Sequence, residues 1–302
     1  MTKKDVLRIL DLSSDEIQKL LDRALALKSG DDAMKCPLLG KSIGLFFEKP
    51  STRTRVSFEV GVYQLGAQAI VLSPKELQLG RGESIADTAK TLSRYLHGMV
   101  MRVFDHATVS EFARHASIPV INGLSDKHHP CQALADVMTV LEHKGRLEGV
   151  RFAYIGDGNN VANSLVEIAA RTGLDLVIAS PSGYAPEASL LERARTGGKG
   201  RITVVTDPRE AAAAADVLYT DVWISMGQEE EAADRIRSFE KYQINAELLR
   251  LAKPDAVVLH CLPAVRGKEI TDDVMDGRQS AIFDQAENRL HTSKALLEYL
   301  IR

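Results

Sequence analysis

The chain lacks the cysteine pattern of a disulfide-bonded or zinc-binding protein. Its three cysteines, Cys36, Cys131 and Cys261, are scattered over 302 residues and form no CxxC pair. An odd and dispersed set of thiols is typical of a protein in a reducing compartment. The sequence therefore predicts a cytoplasmic protein without a structural zinc site, and we expect no metal at its functional site.

Long uncharged apolar runs and an excess of charge of one sign are also missing. Asp5, Arg8 and Asp11 interrupt the apolar groups near the start, unlike the core of a signal peptide, and no later run is long enough to cross a bilayer. The 38 Lys and Arg nearly balance the 41 Asp and Glu, leaving a net charge of −3. We therefore expect small-molecule partners, with no nucleic acid and no membrane.

Short apolar runs and helical patterns alternate along the whole sequence. This alternation predicts parallel sheets with right-handed crossovers, and 302 residues exceed what one core usually serves. The predicted fold class is α/β, with two doubly wound parallel-sheet domains and a C-terminal helix packing back on the first. We place the first domain at residues 1–145, the second at 146–285 and the helix at 286–302.

Two stretches of the second half are harder to assign. The apolar run SAIFD, residues 280–284, is expected to form the last strand. Residues 226–245 are unusually long and charged for a connection in a compact domain. A lid over a ligand and a solvated excursion both agree with that composition.

The segment STRTR, residues 51–55, follows an apolar run and begins a helical pattern. Hydroxyls at a helix start serve as caps, and the free amides there also favour an anion, so both interpretations stay open. Residues two apart do not share a helical face. Arg53 can therefore point at a ligand while Arg55 pairs with Glu48 or Glu59.

Polar residues also interrupt or follow other apolar runs. Arg102 lies in an apolar strand, where either a buried salt bridge or a bound anion would offset the cost of its burial. His129 and Gln132 are three apart at a helix start and can face one spot. His128 is more typical of a surface residue, because adjacent side chains splay apart.

The segment YIGDGNN, residues 154–160, resembles the phosphate turn of a dinucleotide fold only in part. Val161 stands where the third glycine would fall, and no acid follows the next strand. We therefore expect no nicotinamide cofactor. Asn159 or Asn160 can bind a ligand or simply cap the following helix.

Two later strand ends carry reactive or charged groups. Asp221 could hold an ammonium group and Ser225 a carboxylate, while Cys261 follows the apolar run AVVLH. A solitary cysteine is usually a small buried apolar residue. Its place directly before Leu262 at a strand end makes a role in the site equally reasonable.

In their order along the chain, the segments STRTR, MR, HPCQ, DGNN, DVWISMG, HCLP and ENRLH resemble the ornithine carbamoyltransferases over essentially the whole sequence. The resemblance implies a carbamoyl-phosphate domain (1–145), an ornithine domain (146–285), no cofactor, and a homotrimer or multiple of trimers. It implies transfer of a carbamoyl group to L-ornithine, giving L-citrulline and phosphate, in arginine biosynthesis or its reverse. Acetylornithine and putrescine remain alternative acceptors.

The resemblance also implies roles for single residues, carried over motif by motif. Those implied to bind carbamoyl phosphate are Ser51, Thr52, Arg53, Thr54, Gln78, Arg102, His129, Gln132, Cys261, Leu262 and Arg289. Those implied to bind ornithine are Asn160, Asp221, Ser225 and Met226. The implied catalytic residues are Arg102, His129, Asp221 and Cys261, and Gln78 would reach the site of a neighbouring subunit.

Overall fold

The computed structural model describes residues 3–30, 36–75, 82–225 and 227–301. Contacts between Cα atoms divide the chain into unit 1, residues 1–138 and 287–302, and unit 2, residues 139–286. Within the described ranges, no helix combines the length and apolar character that a membrane span requires.

Unit 1 is built on a four-stranded parallel sheet with strand order β2-β1-β3-β4. Its elements are α1 (Ser14–Ser29), β1 (Ser42–Phe47), α2 (Thr52–Gln64), β2 (Gln68–Leu72), α3 (Ile85–Leu92), β3 (Gly98–Arg102), α4 (His106–His115), β4 (Val120–Leu124) and the first part of α5 (Pro130–Lys144). The apolar sides of β3, α3 and α4 form one buried cluster beside this sheet. The unit therefore has a core of its own.

Unit 2 contains a five-stranded parallel sheet with strand order β7-β6-β5-β8-β9. Its elements after α5 are β5 (Arg151–Ile155), α6 (Asn160–Thr172), β6 (Asp175–Ala179), α7 (Ala188–Gly197), β7 (Arg201–Val205), α8 (Pro208–Ala212), β8 (Val217–Thr220), α9 (Ala232–Phe239), α10 (Ala246–Leu249), β9 (Val257–His260), α11 (Asp272–Met275) and the start of α12 (Ile282–Ile301). The remainder of α12 belongs to unit 1. Two parallel-sheet α/β units, with a C-terminal helix on the first, confirm the predicted fold class.

Local sequence explains where the first helix begins and ends. Ser13 accepts a hydrogen bond from the Glu16 amide, and the Glu16 side chain accepts one from the Ser13 amide, which completes a capping box. Gly30 ends the helix with φ of 84°, a conformation that favours glycine.

Two sequence expectations for unit 2 need correction. Residues 280–284 form no strand: Ser280 makes one isolated bridge to Val258, and α12 begins at Ile282. Three consecutive apolar residues, Ala281 to Phe283, fit a helix start as well as a strand, so the period of so short a run cannot decide. Residues 227–245 are no solvated excursion, because α9 lies in them and Phe239 is fully buried in the core.

The strand registers decide which loops become neighbours. In unit 1, Phe47 at the end of β1 is level with Arg102 at the end of β3. In unit 2, Thr220 at the end of β8 is level with His260 at the end of β9. Parallel strands deliver their following loops to one edge of the sheet, which is where ligands bind in such folds.

Candidate functional site

The N-terminus of α2 has the geometry of an anion site. Ser51 caps the helix, its Oγ accepting from the Thr54 amide at 3.2 Å, and Thr52 is exposed at the first turn. Amides and the helix dipole at such an end favour negative charge. The segment 51–55 can therefore cap α2 and bind an anion at the same time.

The two arginines of this segment have separate environments, as their spacing predicts. Arg55 is exposed, and its Nε lies 2.7 Å from Glu59 Oε1, so the predicted ion pair is confirmed with Glu59. Arg53 is half-buried and is one of the cations that lower the pKa of His129. Of these two arginines, only Arg53 is among the cations that lower the pKa of the buried His129.

Arg289 joins three helices of unit 1. This buried side chain donates from Nη1 to Gln132 Oε1 at 2.6 Å and from Nη2 to Thr54 Oγ1 at 3.1 Å. The amide nitrogen of Gln132 in turn donates to Asp136 Oδ1 at 2.8 Å. Residues from α2, α5 and α12 therefore meet at one point, although up to 235 positions separate them.

His129 lies buried among positive charges. Burial, and then the cations Arg289, Arg102 and Arg53, lower the pKa of His129 well below its ordinary value. The ring is therefore neutral near pH 7. A neutral imidazole can donate one hydrogen bond to a developing oxyanion while it keeps its proton.

Arg102 has a buried cationic neighbour that the sequence analysis passed over. Burial, and then Arg102, lower the pKa of Lys49, whose ammonium lies 4.3 Å from the centre of the Phe104 ring. The only sequence signal for Lys49 is its position directly before Pro50. Neighbouring positive side chains such as Lys49 and Arg102 can bind a dianion and polarise a carbonyl group.

Asp221 is the centre of the polar cluster in unit 2. Its Oδ1 accepts from the Val222 amide at 2.8 Å and from Cys261 Sγ at 2.9 Å, and its Oδ2 accepts from Asn159 Nδ2 at 2.7 Å. These contacts use three of the roughly four acceptor positions of a carboxylate. Among the residues that the structure describes, no second hydrogen bond uses Oδ2, and its remaining position suits an ammonium proton.

The contact to Asp221 comes from Asn159, whereas Asn160 is the asparagine that the resemblance implies in ornithine binding. Asn159 Oδ1 caps α6 by accepting from the amides of Val161 and Ala162, and its Nδ2 remains directed at Asp221. Asn160 is the first residue of α6, and its binding role stays a prediction. Sequence alone could not separate two adjacent asparagines.

The remaining implied residues are placed as follows. Ser225 follows Asp221 in the same loop, where its amide donates to Gln228 Oε1 at 3.0 Å. Cys261 and Leu262 lie in unit 2, directly after β9. Gln78 and Met226 lie outside the described residues.

A buried ion pair fixes the loop after β5. Arg235 contacts Asp157 Oδ2, and its Nε donates to the Trp223 carbonyl at 2.6 Å. Burial raises the pKa of Asp157 to about 6, an effect that Arg235 only partly opposes. Arg235 thereby connects α9 to the loops that carry Asn159 and Asp221, a link that the sequence analysis missed.

Asp221, His260 and Cys261 each bring one potential metal ligand atom within 4.8 Å of the others. The imidazole of His260 is already engaged at both nitrogens. Nδ1 accepts from the Leu262 amide at 2.8 Å, and Nε2 lies 3.1 Å from Glu269 Oε1. A metal would have to displace these hydrogen bonds. The cluster is therefore better suited to holding the loop after β9 in place than to binding a metal.

Comparison with known proteins gives matches along nearly the whole chain. Residues 4–142 match the family model described as aspartate/ornithine carbamoyltransferase, carbamoyl-P binding domain, and residues 148–300 match its Asp/Orn binding domain. A protein named ornithine carbamoyltransferase from Methanoculleus marisnigri is 53% identical over 301 residues, covering 99% of this chain and 97% of its own. One from Acidothermus cellulolyticus is 56% identical over 295 residues, covering 96% and 94%.

Solved structures agree with these matches. The structure titled ornithine carbamoyltransferase from Pyrococcus furiosus is similar with a TM-score of 0.95 and 47% identity, covering 99% of this chain and 97% of that one. The corresponding structure from Thermus thermophilus has a TM-score of 0.91 and 45% identity, with full coverage of both chains.

Proposed function

Because the chain belongs to the aspartate/ornithine carbamoyltransferase family, we infer that it transfers the carbamoyl group of carbamoyl phosphate to the side-chain amine of L-ornithine, giving L-citrulline and phosphate. The observation that carries this assignment is the charge arrangement. Buried Arg102 and Arg289 and half-buried Arg53 act on neutral His129 in unit 1, while unit 2 presents the carboxylate of Asp221. The first suits a phosphorylated donor, and the second suits an ammonium-bearing acceptor.

The donor group is held by the residues of unit 1. The α2 amides, the hydroxyls of Ser51, Thr52 and Thr54, and Arg53 bind the phosphate. Gln132 Oε1 accepts from the carbamoyl amide, and Arg289 closes on the same ligand from α12. Gln78 completes the donor site from a neighbouring subunit, as the resemblance implies.

The transfer step places negative charge on the carbonyl oxygen. The amine attacks the carbonyl carbon, the carbon–phosphate oxygen bond breaks, and inorganic phosphate leaves with the bonding electrons. Arg102 and His129 donate to the developing oxyanion, while Arg53 and the helix amides stabilise the departing phosphate.

The acceptor must react as a free amine. An alkyl ammonium with a pKa of about 10.4 is protonated near pH 7, so one proton must leave before or during attack. The Cys261 thiol donates a hydrogen bond to Asp221 Oδ1. The remaining acceptor position of the carboxylate, on Oδ2, is therefore assigned to the ornithine ammonium. We assign Asp221 to binding that group, with the proton passing to Asp221 or to phosphate, and Cys261 to lining the reacting centre.

The ornithine backbone groups are assigned to Asn160, Ser225 and Met226. Asn159, the N-cap of α6, is assigned to holding Asp221 in place through its 2.7 Å contact.

One assay panel tests the assignment. Carbamoyl phosphate is supplied with ornithine, acetylornithine, putrescine or aspartate, and the carbamoylated product is measured. We expect the highest kcat/KM with ornithine. Failure with ornithine would overturn the function, and a preference for putrescine or acetylornithine would move it to the alternative acceptor.

The two arginines of the STRTR segment should differ in their effect on donor binding. Arg53→Ala is expected to raise KM for carbamoyl phosphate about a hundredfold, because it removes a half-buried cation from the phosphate. Arg55→Ala is the matched control and should leave KM nearly unchanged, since an exposed pair with Glu59 contributes little. Steady-state kinetics decides, and a larger effect of Arg55→Ala would reverse the assignment.

We further propose a homotrimer or a multiple of trimers. Val56, Val60 and Tyr63 form an apolar stripe on α2, with exposed fractions of 51%, 36% and 80%. Residues spaced by four and three share one helical face, and a second copy on this face would lie close to the phosphate-binding segment. That proximity supports the role of Gln78 across a subunit boundary.

The stripe gives a prediction for assembly. Wild-type protein is expected to have a trimer mass or a multiple of it by light scattering, and Tyr63→Glu is expected to lower the mass by placing a charge in the contact. Exposed Tyr95→Glu, outside the stripe, is the control. A monomeric wild type would contradict the proposal.

The reaction belongs to arginine biosynthesis, or in the reverse direction to arginine breakdown. The free cysteines Cys36, Cys131 and Cys261 support a cytoplasmic location for it.

A further inference from the structure

We propose that Glu269, acting through His260, positions Cys261 and Leu262 for the transfer reaction, an inference that rests on the proposed function. His260 ends β9, and Glu269 lies nine residues later. Both side chains are almost completely buried. No substrate group needs to touch either of them, so they are positioning residues.

The hydrogen bonds define the tautomer of His260. The Leu262 amide can only donate, so His260 Nδ1, at 2.8 Å, must accept and carries no hydrogen. The ring proton is therefore on Nε2 and is donated to Glu269 Oε1 at 3.1 Å. Glu269 thus selects the tautomer whose other nitrogen holds the Leu262 amide, as an outer carboxylate does for a metal-bound histidine.

The backbone of Leu262 needs this support. Its φ is +56°, in the left-handed region that is unfavourable for a residue with a Cβ. Strained residues persist where the surroundings hold them, and they cluster at functional sites. The hydrogen bond from its amide to His260 is a contact of that kind, made directly beside Cys261.

Glu269 is itself held in place. Its carbonyl accepts from the Ile244 amide at 2.9 Å, and its Oε1 also accepts from the Val265 amide. The backbone amide of His260 donates to Gln285 Oε1 at 2.9 Å. The loop from 260 to 265 is therefore fastened at its beginning, middle and end to groups that are fixed in unit 2.

The position of Cys261 follows from these contacts. Its Sγ lies 2.9 Å from Asp221 Oδ1, a distance that depends on the backbone between His260 and Leu262. If the Leu262 amide lost its acceptor, the residue could relax toward negative φ. Cys261 would then move away from Asp221, and a shift of about 1 Å near a reacting centre can cost about a hundredfold in rate.

Four variants separate positioning from packing. His260→Asn places an oxygen near the position of Nδ1 and keeps an acceptor for the Leu262 amide, while His260→Gln reaches toward Glu269 and loses that acceptor. Glu269→Gln keeps an oxygen that can accept from His260 and Val265, whereas Glu269→Met has similar volume and no such acceptor.

We expect kcat to fall about a hundredfold in His260→Gln and only about tenfold in His260→Asn. Asparagine leaves the larger cavity, so a role in packing alone predicts the opposite order. Glu269→Gln should retain near-wild-type kcat, and Glu269→Met should lose about tenfold. Inhibition by inorganic phosphate should be unchanged in all four, because phosphate binds to residues of unit 1.

A second measurement does not depend on turnover. The alkylation rate of Cys261 by iodoacetamide, followed by peptide mass spectrometry without substrates, should rise more in His260→Gln than in His260→Asn, because the thiol leaves Asp221. Exposed Cys36 in the same sample is the internal control and should react at one rate throughout. Thermal unfolding of each variant identifies those that fail to fold.

The outcomes distinguish the two proposals. Equal or reversed effects of the two His260 variants, or equal effects of the two Glu269 variants, would overturn the positioning role. If the His260 variants do not fold, the Glu269 pair decides alone. If wild type makes no citrulline, the proposed function fails, while the alkylation order still decides whether Glu269 and His260 position Cys261.

Discussion

Replacing Arg102 with methionine is expected to lower kcat/KM for carbamoyl phosphate by about three orders of magnitude. Removing one oxyanion donor costs about a hundredfold to a thousandfold in kcat, and Arg102 also carries a full positive charge into a buried site. Methionine is unbranched and replaces the aliphatic part of the arginine side chain without its charge. The measurement is steady-state kinetics with ornithine held at saturation.

The same substitution should change the charge environment of His129. Arg102 lies beside Lys49 and His129, and it is one of the cations that lower the pKa of each. Its removal takes away one cause of the lowered pKa of His129, so this pKa should rise in an NMR titration, while thermal unfolding checks that the variant is folded. Arg55→Met is the matched control and should preserve kcat/KM. Loss of activity together with unfolding, or full activity in Arg102→Met, would contradict the assigned role.

Replacing Asp221 with asparagine is expected to raise KM for ornithine and lower kcat, reducing kcat/KM by about two orders of magnitude. Removing one partner of a buried charge pair costs about 3 kcal/mol, which corresponds to about a hundredfold. In either orientation, the NH2 group of the new amide would face a donor, Asn159 Nδ2 or the Val222 amide, which now lie 2.7 and 2.8 Å from the Asp221 oxygens. KM for carbamoyl phosphate should change little, because Asp221 is assigned to the acceptor.

Strand β8 supplies a matched control for this substitution. Asp216 directly precedes β8 and is also buried, pairing with Lys253 at 2.7 Å, whereas Asp221 directly follows the same strand. Asp216→Asn should cost stability without a selective effect on ornithine. Equal effects of the two substitutions on KM for ornithine would show that Asp221 acts only through the fold.

The sequence predicted those features that depend on residues close together along the chain. The capping box of Ser13 and Glu16 and the separation of Arg53 from Arg55 follow from helical geometry within one turn. The parallel sheets follow from regular alternation of strand and helix. Where the local pattern was ambiguous, as at residues 280–284, the prediction was wrong, because the bonds that settle a short apolar run come from distant parts of the chain.

The site shows the same division on a finer scale. The motifs and their order along the chain identified Arg102, His129 and Asp221 as candidates. They did not identify Glu269, whose role depends on its contact with His260 in the folded protein. Asn159 and Asn160 are indistinguishable until helix α6 fixes which of them caps it and contacts Asp221.

By itself, the sequence determined which reactive and charged side chains are present, where local caps form, and the alternation of strand and helix that produces two α/β units. Only the tertiary structure decided which groups meet: Arg289 reaches Thr54 across 235 positions, and Asp221 meets Cys261 across 40. The physical reason is that backbone propensity acts over one or two turns. The register of parallel strands and the packing of helices depend instead on the burial of the whole core.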